Sequence, residues 1–335
     1  MGRRLPAMVA LLLLALFPAP VFGEAGQGPL RISNLFPPHL MFLMPAPAAP
    51  WDGKPGQWEI SPSAAYAAVF VNEDSDRWST VIDLEMTVLE LAGTVGLSRR
   101  LSLGAKVRFA SMSGGFLDGF LGDFHETFGL PNYGREQRPE NEFLYFIEKD
   151  GNPWLKSEFG GLHWLDPSVS LEYRLSDRGD PHEEAGRWTA SLQYALKLPL
   201  GDSDAGFGSG HFDHRLSLPV RWIRPPLAAY LIPAFSFLSD PDTRGADIQV
   251  RNVAGVTVSA EWAFARDWSL LAGLNFYTSP FKNTGIRQFD TESLQLDVGL
   301  IWSPTPAVRT EWSFSEDLTR SAPDFALRMG LGYRF

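Results

Sequence analysis

The residues that could do covalent chemistry are few. His125 follows Ser111 and Ser113 and lies seven residues from Asp118, so on a helix the imidazole and that carboxylate would share one flank. A serine, a histidine and a carboxylate are the parts of an acyl-transfer site, so a lipid-hydrolase reading would rest on Ser113, Asp118 and His125. His211 and His214 flank Asp213 in one loop segment, but a metal site there needs further ligands that the sequence does not place. Gly206-Phe-Gly-Ser-Gly210 does not match Gly-x-Ser-x-Gly, and no phosphate loop, His-Glu-x-x-His or calcium-loop spacing occurs. The strand-borne motifs of known outer-membrane lipid hydrolases are absent too. No catalytic residue, metal or cofactor is therefore assigned.

The larger chemical resource is charge placed at alternate positions. Asp83, Glu85, Lys106, Arg108, Glu172, Arg174 and Lys197 fall on the polar parity of their segments, as do Arg221, Glu261, Asp297, Arg309, Glu311, Arg328 and Arg334. Such charges can pair as struts across an interior or line a water path. Both signs are present, so strong ion selectivity is not expected.

The elements that must position these groups are strands. In the final twelve residues, Phe325, Leu327, Met329, Leu331, Tyr333 and Phe335 share one parity, and Ala326, Arg328, Gly330, Gly332 and Arg334 hold the other. Side chains alternate across a strand, so one face is wholly apolar, as a strand with lipid outside and water inside requires. The same reading along the chain predicts about twelve strands, near 57–72, 78–97, 101–113, 162–176, 186–200, 214–224, 227–239, 248–265, 267–280, 290–303, 306–318 and 324–335. Parity switches near Val88 and Leu89, which reads as a β-bulge. The connections 98–100, 224–226, 265–267 and 303–306 are tight, whereas most of those at the other end are longer. That is the asymmetry of an outer-membrane barrel with periplasmic turns. Trp58, Trp188, Trp222, Trp262, Trp268 and Trp302 fall on the apolar face near the tight-turn end, as a periplasmic aromatic girdle would.

Two segments break the pattern. In the insertion 114–161, Phe116, Phe120, Phe124 and Phe128 recur every four residues, with Gly129 and Pro131 beyond. This predicts an amphipathic helix whose apolar ridge lies in the outer leaflet, caps the mouth or enters the lumen. Residues 24–56 carry six prolines between Pro29 and Pro50 among large apolar groups, which forbids regular structure and predicts a segment docked in the barrel as a partial plug.

Composition fits this picture. Arg3 and Arg4 precede an apolar run over 7–17, too short to span a bilayer, so residues 1–23 read as a signal peptide. Its removal takes the net charge from −10 to about −12, with 27 basic against 39 acidic residues. An acidic chain is a poor nucleic-acid binder. With no cysteine there is neither a disulfide nor a lipid-attachment thiol.

The run Gly115-Phe-Leu-Asp-Gly-Phe-Leu-Gly-Asp-Phe-His-Glu-Thr-Phe-Gly-Leu-Pro-Asn-Tyr-Gly-Arg135, together with Phe36-Pro-Pro-His39 and the terminal strand, resembles an uncharacterised family of Gram-negative outer-membrane β-barrel proteins. The resemblance implies location and fold, and carries no activity. The expected architecture is all-β, a transmembrane antiparallel barrel of about twelve strands over 57–335 with one short extracellular helix. The expected partners are outer-membrane lipid, lipopolysaccharide and a barrel-assembly machinery that reads the strand ending in Phe335. The expected function is passive passage of a small apolar or amphipathic solute; the alternatives are the lipid hydrolase above and a closed structural or recognition barrel.

Overall fold

The computed structural model describes residues 23, 25–128, 138–157 and 160–335; within the helix Asp118–Phe128 it excludes the side chains of Leu121, Phe124, His125 and Phe128. Residues 1–22, most of the expected signal peptide, lie outside the described set.

Strands β1 (Trp58–Asp74), β2 (Trp78–Gly96) and β3 (Leu101–Ser113) are followed by a small hairpin, β4 (Leu144–Lys149) and β5 (Asn152–Lys156). Then come β6 (His163–Arg178), β7 (Arg187–Lys197), β8 (Asp213–Ser217), β9 (Val220–Arg224) and β10 (Leu227–Phe237). The last five are β11 (Val253–Ala265), β12 (Trp268–Tyr277), β13 (Ser293–Thr305), β14 (Val308–Asp317) and β15 (Phe325–Arg334). All pairings are antiparallel, and β1 bonds both β2 and β15, which closes the sheet. The seam ends with Trp58 and Phe335 exchanging backbone bonds of 2.8 and 2.9 Å. Closure satisfies every wall strand on both edges, the condition for a sheet that meets no water outside.

Strands β8 and β9 are one wall strand interrupted at Leu218-Pro219, since both pair with β7 and with β10. Proline has no N–H for the ladder. Its carbonyl still accepts from Ser191 N at 3.0 Å, and Leu218 N reaches Pro233 O at 2.9 Å. Counted so, the closed wall has twelve strands. The β4–β5 hairpin pairs with the outer part of β2, beyond the end of β3. Among the described residues the helices are short, and none is long and apolar enough to cross a membrane.

The β-bulge expected near Val88 does not exist: β1 and β2 run in unbroken register from Trp58↔Val95 to Asp74↔Ser79. Leu89 and Leu91 point outward and are exposed, whereas Leu84, Met86 and Val88 point inward and are buried. The parity of apolar residues switches because the interior changes. Towards the long-loop end, Ile82, Leu84, Met86, Val69 and Val71 pack on Phe36, Met41 and Phe42 of the N-terminal segment and on Trp154, Phe207, Phe281 and Phe289 of the loops. Inward positions there must be apolar. Nearer the tight turns the interior is polar, and ordinary alternation returns.

This register predicts a labelling pattern, and the chain offers no native cysteine to confuse it. Leu89→Cys is expected to react with an apolar maleimide in the folded protein while Val88→Cys stays protected; a bulge would turn both outward and make both reactive.

Candidate functional site

The register places Asp83 and Glu85 on the outward face, not in the lumen, because Glu85 pairs Ala68 and Asp83 pairs Phe70 on the parity of the exposed Leu89 and Leu91. The insertion covers both. Glu85 accepts from the N–H groups of Phe116 (2.9 Å) and Leu117 (2.5 Å) and from the Tyr66 hydroxyl, and Arg138 meets Asp83 at 2.5 Å. Gly115 lies against this carboxylate at φ +73°, where a Cβ would fall 1.9 Å from Glu85 Cδ. Only glycine fits such an approach. The helix Asp118–Phe128 follows, on the outer wall: Phe116 stacks near Tyr66 at 5.7 Å, Phe120 meets Phe325 at 6.2 Å, and Leu117 packs against Ala68 and Phe325. Phe124 and Phe128, the rest of the expected ridge, have side chains outside the described set. So has His125. Of its proposed partners, Ser113 pairs with Glu85 in the outward register and Asp118 accepts from Asn141 N at 2.7 Å.

The other charged positions named from the sequence share the inward face, and the N-terminal segment reaches most of them in turn. Glu261 accepts from Gln27 N (3.2 Å), Gly28 N (2.9 Å), the Tyr230 hydroxyl (2.6 Å) and Ser269 (2.9 Å). Glu311, fully buried, lies 2.6 Å from both Arg309 and Arg328 and accepts from Arg31 N at 2.9 Å. Asp297 accepts from Asn275 and Ser315 on the neighbouring strands. Lys197 has 1 % exposure; its Nζ sits 3.0 Å from both Asp166 and Asp213, donates to Met41 O at 2.6 Å and meets Ser209 at 2.5 Å. Arg221 and Arg334 converge on Asp52 at 3.1 and 3.0 Å, and Arg334 also meets Glu59 at 2.9 Å. Glu172 accepts from Trp51 N at 2.6 Å, and Arg174 donates to Trp51 O. Residues 27–52 thus bond to strands on opposite sides of the wall, and the chain between these anchors occupies the space the wall encloses.

At the turn of this segment, the 3₁₀ stretch Pro37–Met41, His39 is 1 % exposed and neither ring nitrogen has a hydrogen-bond partner. Phe36, Tyr277 and Phe281 surround the ring at 5.1, 6.2 and 6.1 Å. Burial among apolar rings lowers the imidazole from 6.5 to about 3.

Between the segment and strands β2, β3, β6 and β7 a cavity of about 340 Å³ remains. It exists because Ala92, Gly104, Ser168, Ser170 and Ala195 are small there, while the β10–β14 side is filled by residues 27–35. Lys106, paired with Glu90 at 3.0 Å, lines it, and Arg108 is opposite Glu90 in the β2–β3 ladder. Arg215 also lines it. The sequence reading missed Arg215, Glu90, Glu59 and Asp52. Arg215 shares the parity of Arg221 and could have been found that way. Glu90, between the outward Leu89 and Leu91, was also within reach of parity.

The six tryptophans named from the sequence all point outward at the tight-turn end. Trp188 faces Trp222 at 6.3 Å, and Trp268 contacts Trp302 and Trp312 at 6.1 Å each, Trp312 being a member the sequence reading did not name.

Fold and site together define a closed twelve-strand antiparallel barrel with a charged, largely occupied interior. The chain belongs to the family described as protein of unknown function (DUF3187), whose model matches residues 6–335. No curated protein matches it in sequence. The COG4313 outer membrane channel from Pseudomonas putida F1 shares the fold, with a TM-score of 0.53 at 13 % identity over 86 % of this chain and 99 % of that one. The CymD monoaromatic hydrocarbon channel (TM-score 0.42, 12 % identity, 92 % and 94 % covered) and the KdgM porin (0.40, 11 %, 82 % and 99 %) are more distant.

Two predictions follow from the segment's seat. Phe36, fully buried in the apolar cluster, is expected to cost about 3–5 kcal/mol on mutation to alanine, read from denaturant unfolding. His39 can take a proton when the segment is released but not when it is seated. Seating is therefore fully favoured above pH 6.5 and loses about 1.4 kcal/mol per unit as pH falls from there towards 3. Limited proteolysis within residues 25–52 should accelerate across that window in the wild type, and less so in His39→Gln.

Proposed function

We propose that this chain is an outer-membrane β-barrel channel for a small solute, held closed in this conformation by residues 25–52 acting as a plug. The observation that carries the reading is the inversion of a soluble protein's plan. Leu89, Leu270, Trp58 and Met329 are exposed on the outside, while Glu311, Lys197 and Glu261 are enclosed. Exposed apolar surface on every strand of a closed wall calls for hydrocarbon as its solvent. Tryptophans gathered at one end suit a headgroup boundary.

The interior suits passage once the segment moves. Polar groups line the enclosed wall near the tight turns, and the cavity beside the segment is lined by Trp51, Asp52 and Pro306 at that end, in this reading the periplasmic one. The phenylalanine ridge lies on the outer wall at Phe116 and Phe120, where it supports lipid contact in the outer leaflet and says nothing of the solute. The solute class must instead come from the lumen.

Cysteine tethering tests the reading. A Cβ at Gly255 would lie 2.8 Å from Pro45 Cβ, so the variant carrying Pro45→Cys and Gly255→Cys can lock the segment to β11. In planar bilayers and liposome swelling, the reduced protein is expected to conduct and the oxidised one to conduct several-fold less. Equal conductance in both states would remove the plug, and no conductance in either would leave a closed structural barrel.

A further inference from the structure

The cavity carries a sign that the rest of the chain does not. The protein as a whole is acidic, at −10, yet Lys106 and Arg108 face a single carboxylate, Glu90, and Arg215 lies close to both of these cations. Glu90 is already engaged by Lys106 at 3.0 Å. Asp166, the other acid whose charge reaches Arg108, accepts from Leu200 N and Gly201 N and pairs with Lys197. Among the described residues neither Arg108 nor Arg215 has an ion pair. Arg215 donates one Nη to Met44 O at 2.9 Å, while its Nε is buried without a partner. Two positive charges are thus left over, Arg215 on the wall of the open volume and Arg108 next to it. Every other inward guanidinium named above is paired with a carboxylate.

Guanidinium groups present planar N–H forks that match carboxylate and phosphate oxygens. Holding three cations together in a confined, low-dielectric space is costly unless an anion joins them. The adjacent strand β6 adds small hydroxylic residues to the same lining, Ser168 beside Lys106 and Ser170 beside Gly104, able to donate to the same ligand. At about 340 Å³ the space suits a small organic molecule.

We propose that this cavity binds a small oxyanion, a carboxylate- or phosphate-bearing solute, through Arg215 and Lys106 on its wall, with the unpaired Arg108 beside them adding its charge. The proposal names the solute class of the channel above and rests on that reading for its transport meaning; binding at equilibrium is independent of conduction. The test is isothermal titration of the purified full-length protein in detergent with inorganic phosphate and, separately, acetate. The expected result is saturable binding of at least one of them near one per chain. That affinity should fall at least ~10-fold in a variant combining Arg108→Gln and Arg215→Gln, and be unchanged in Arg77→Gln, whose guanidinium pairs with Asp150 on an outer turn. Ala92→Leu, which fills the cavity without altering charge, gives a second route to the same loss should the double variant fail to show the heat-modifiable migration of a folded barrel. No saturable binding of either anion by the wild type, or equal affinity in the folded double variant and in Ala92→Leu, overturns the proposal. Binding without conductance would retain the site and discard the channel.

Discussion

A closed wall that turns its apolar residues outward must deal with the charges it encloses, and that constraint shapes the rest of this molecule. Glu311, Glu261, Lys197 and Arg221 cannot reach bulk water, and an unpaired ion in such a place costs several kcal/mol. Part of the solution is cross-strand pairing, as in the Arg309–Glu311–Arg328 triad. The rest comes from the N-terminal segment. Its prolines leave backbone groups free of any ladder, and those groups satisfy the wall: Gln27 and Gly28 donate to Glu261, Arg31 to Glu311, Leu43 to Asp213 and Trp51 to Glu172.

The interior is therefore layered. Near the tight turns, charges meet the segment's backbone and leave a cavity where β2, β3, β6 and β7 carry small residues. Towards the long loops the same segment supplies Phe36, Met41 and Phe42 to an apolar cluster shared with the loop aromatics. Lys197, held by Asp166, Asp213 and the Met41 carbonyl, lies at the boundary between the two. The helical insertion performs a comparable service outside, covering Glu85 and Asp83 where β2 would otherwise show carboxylates on its apolar face.

The wall was legible in the sequence because alternation is a local signal. The terminal strand, the tight turns and the outward tryptophans could all be read from period and spacing. What alternation could not reveal was the content of the lumen, since that depends on contacts between residues more than a hundred positions apart. The switch at Val88 looked like a change in backbone, whereas the backbone is regular and the interior changes. Asp83 and Glu85 were assigned inward on polarity alone, which fails where a non-adjacent segment covers the outer face. Arg215 was within reach of parity. That it lacks a carboxylate partner became visible only once its neighbours were placed.

The most direct measurement is amide hydrogen exchange across residues 25–52 in the folded, membrane-reconstituted protein. Seated among the inward charges, these amides should exchange slowly, on the scale of those in β10–β14. Exchange at unfolded-chain rates while the strands remain protected would mean that the enclosed charges are satisfied without this segment, and would contradict the account.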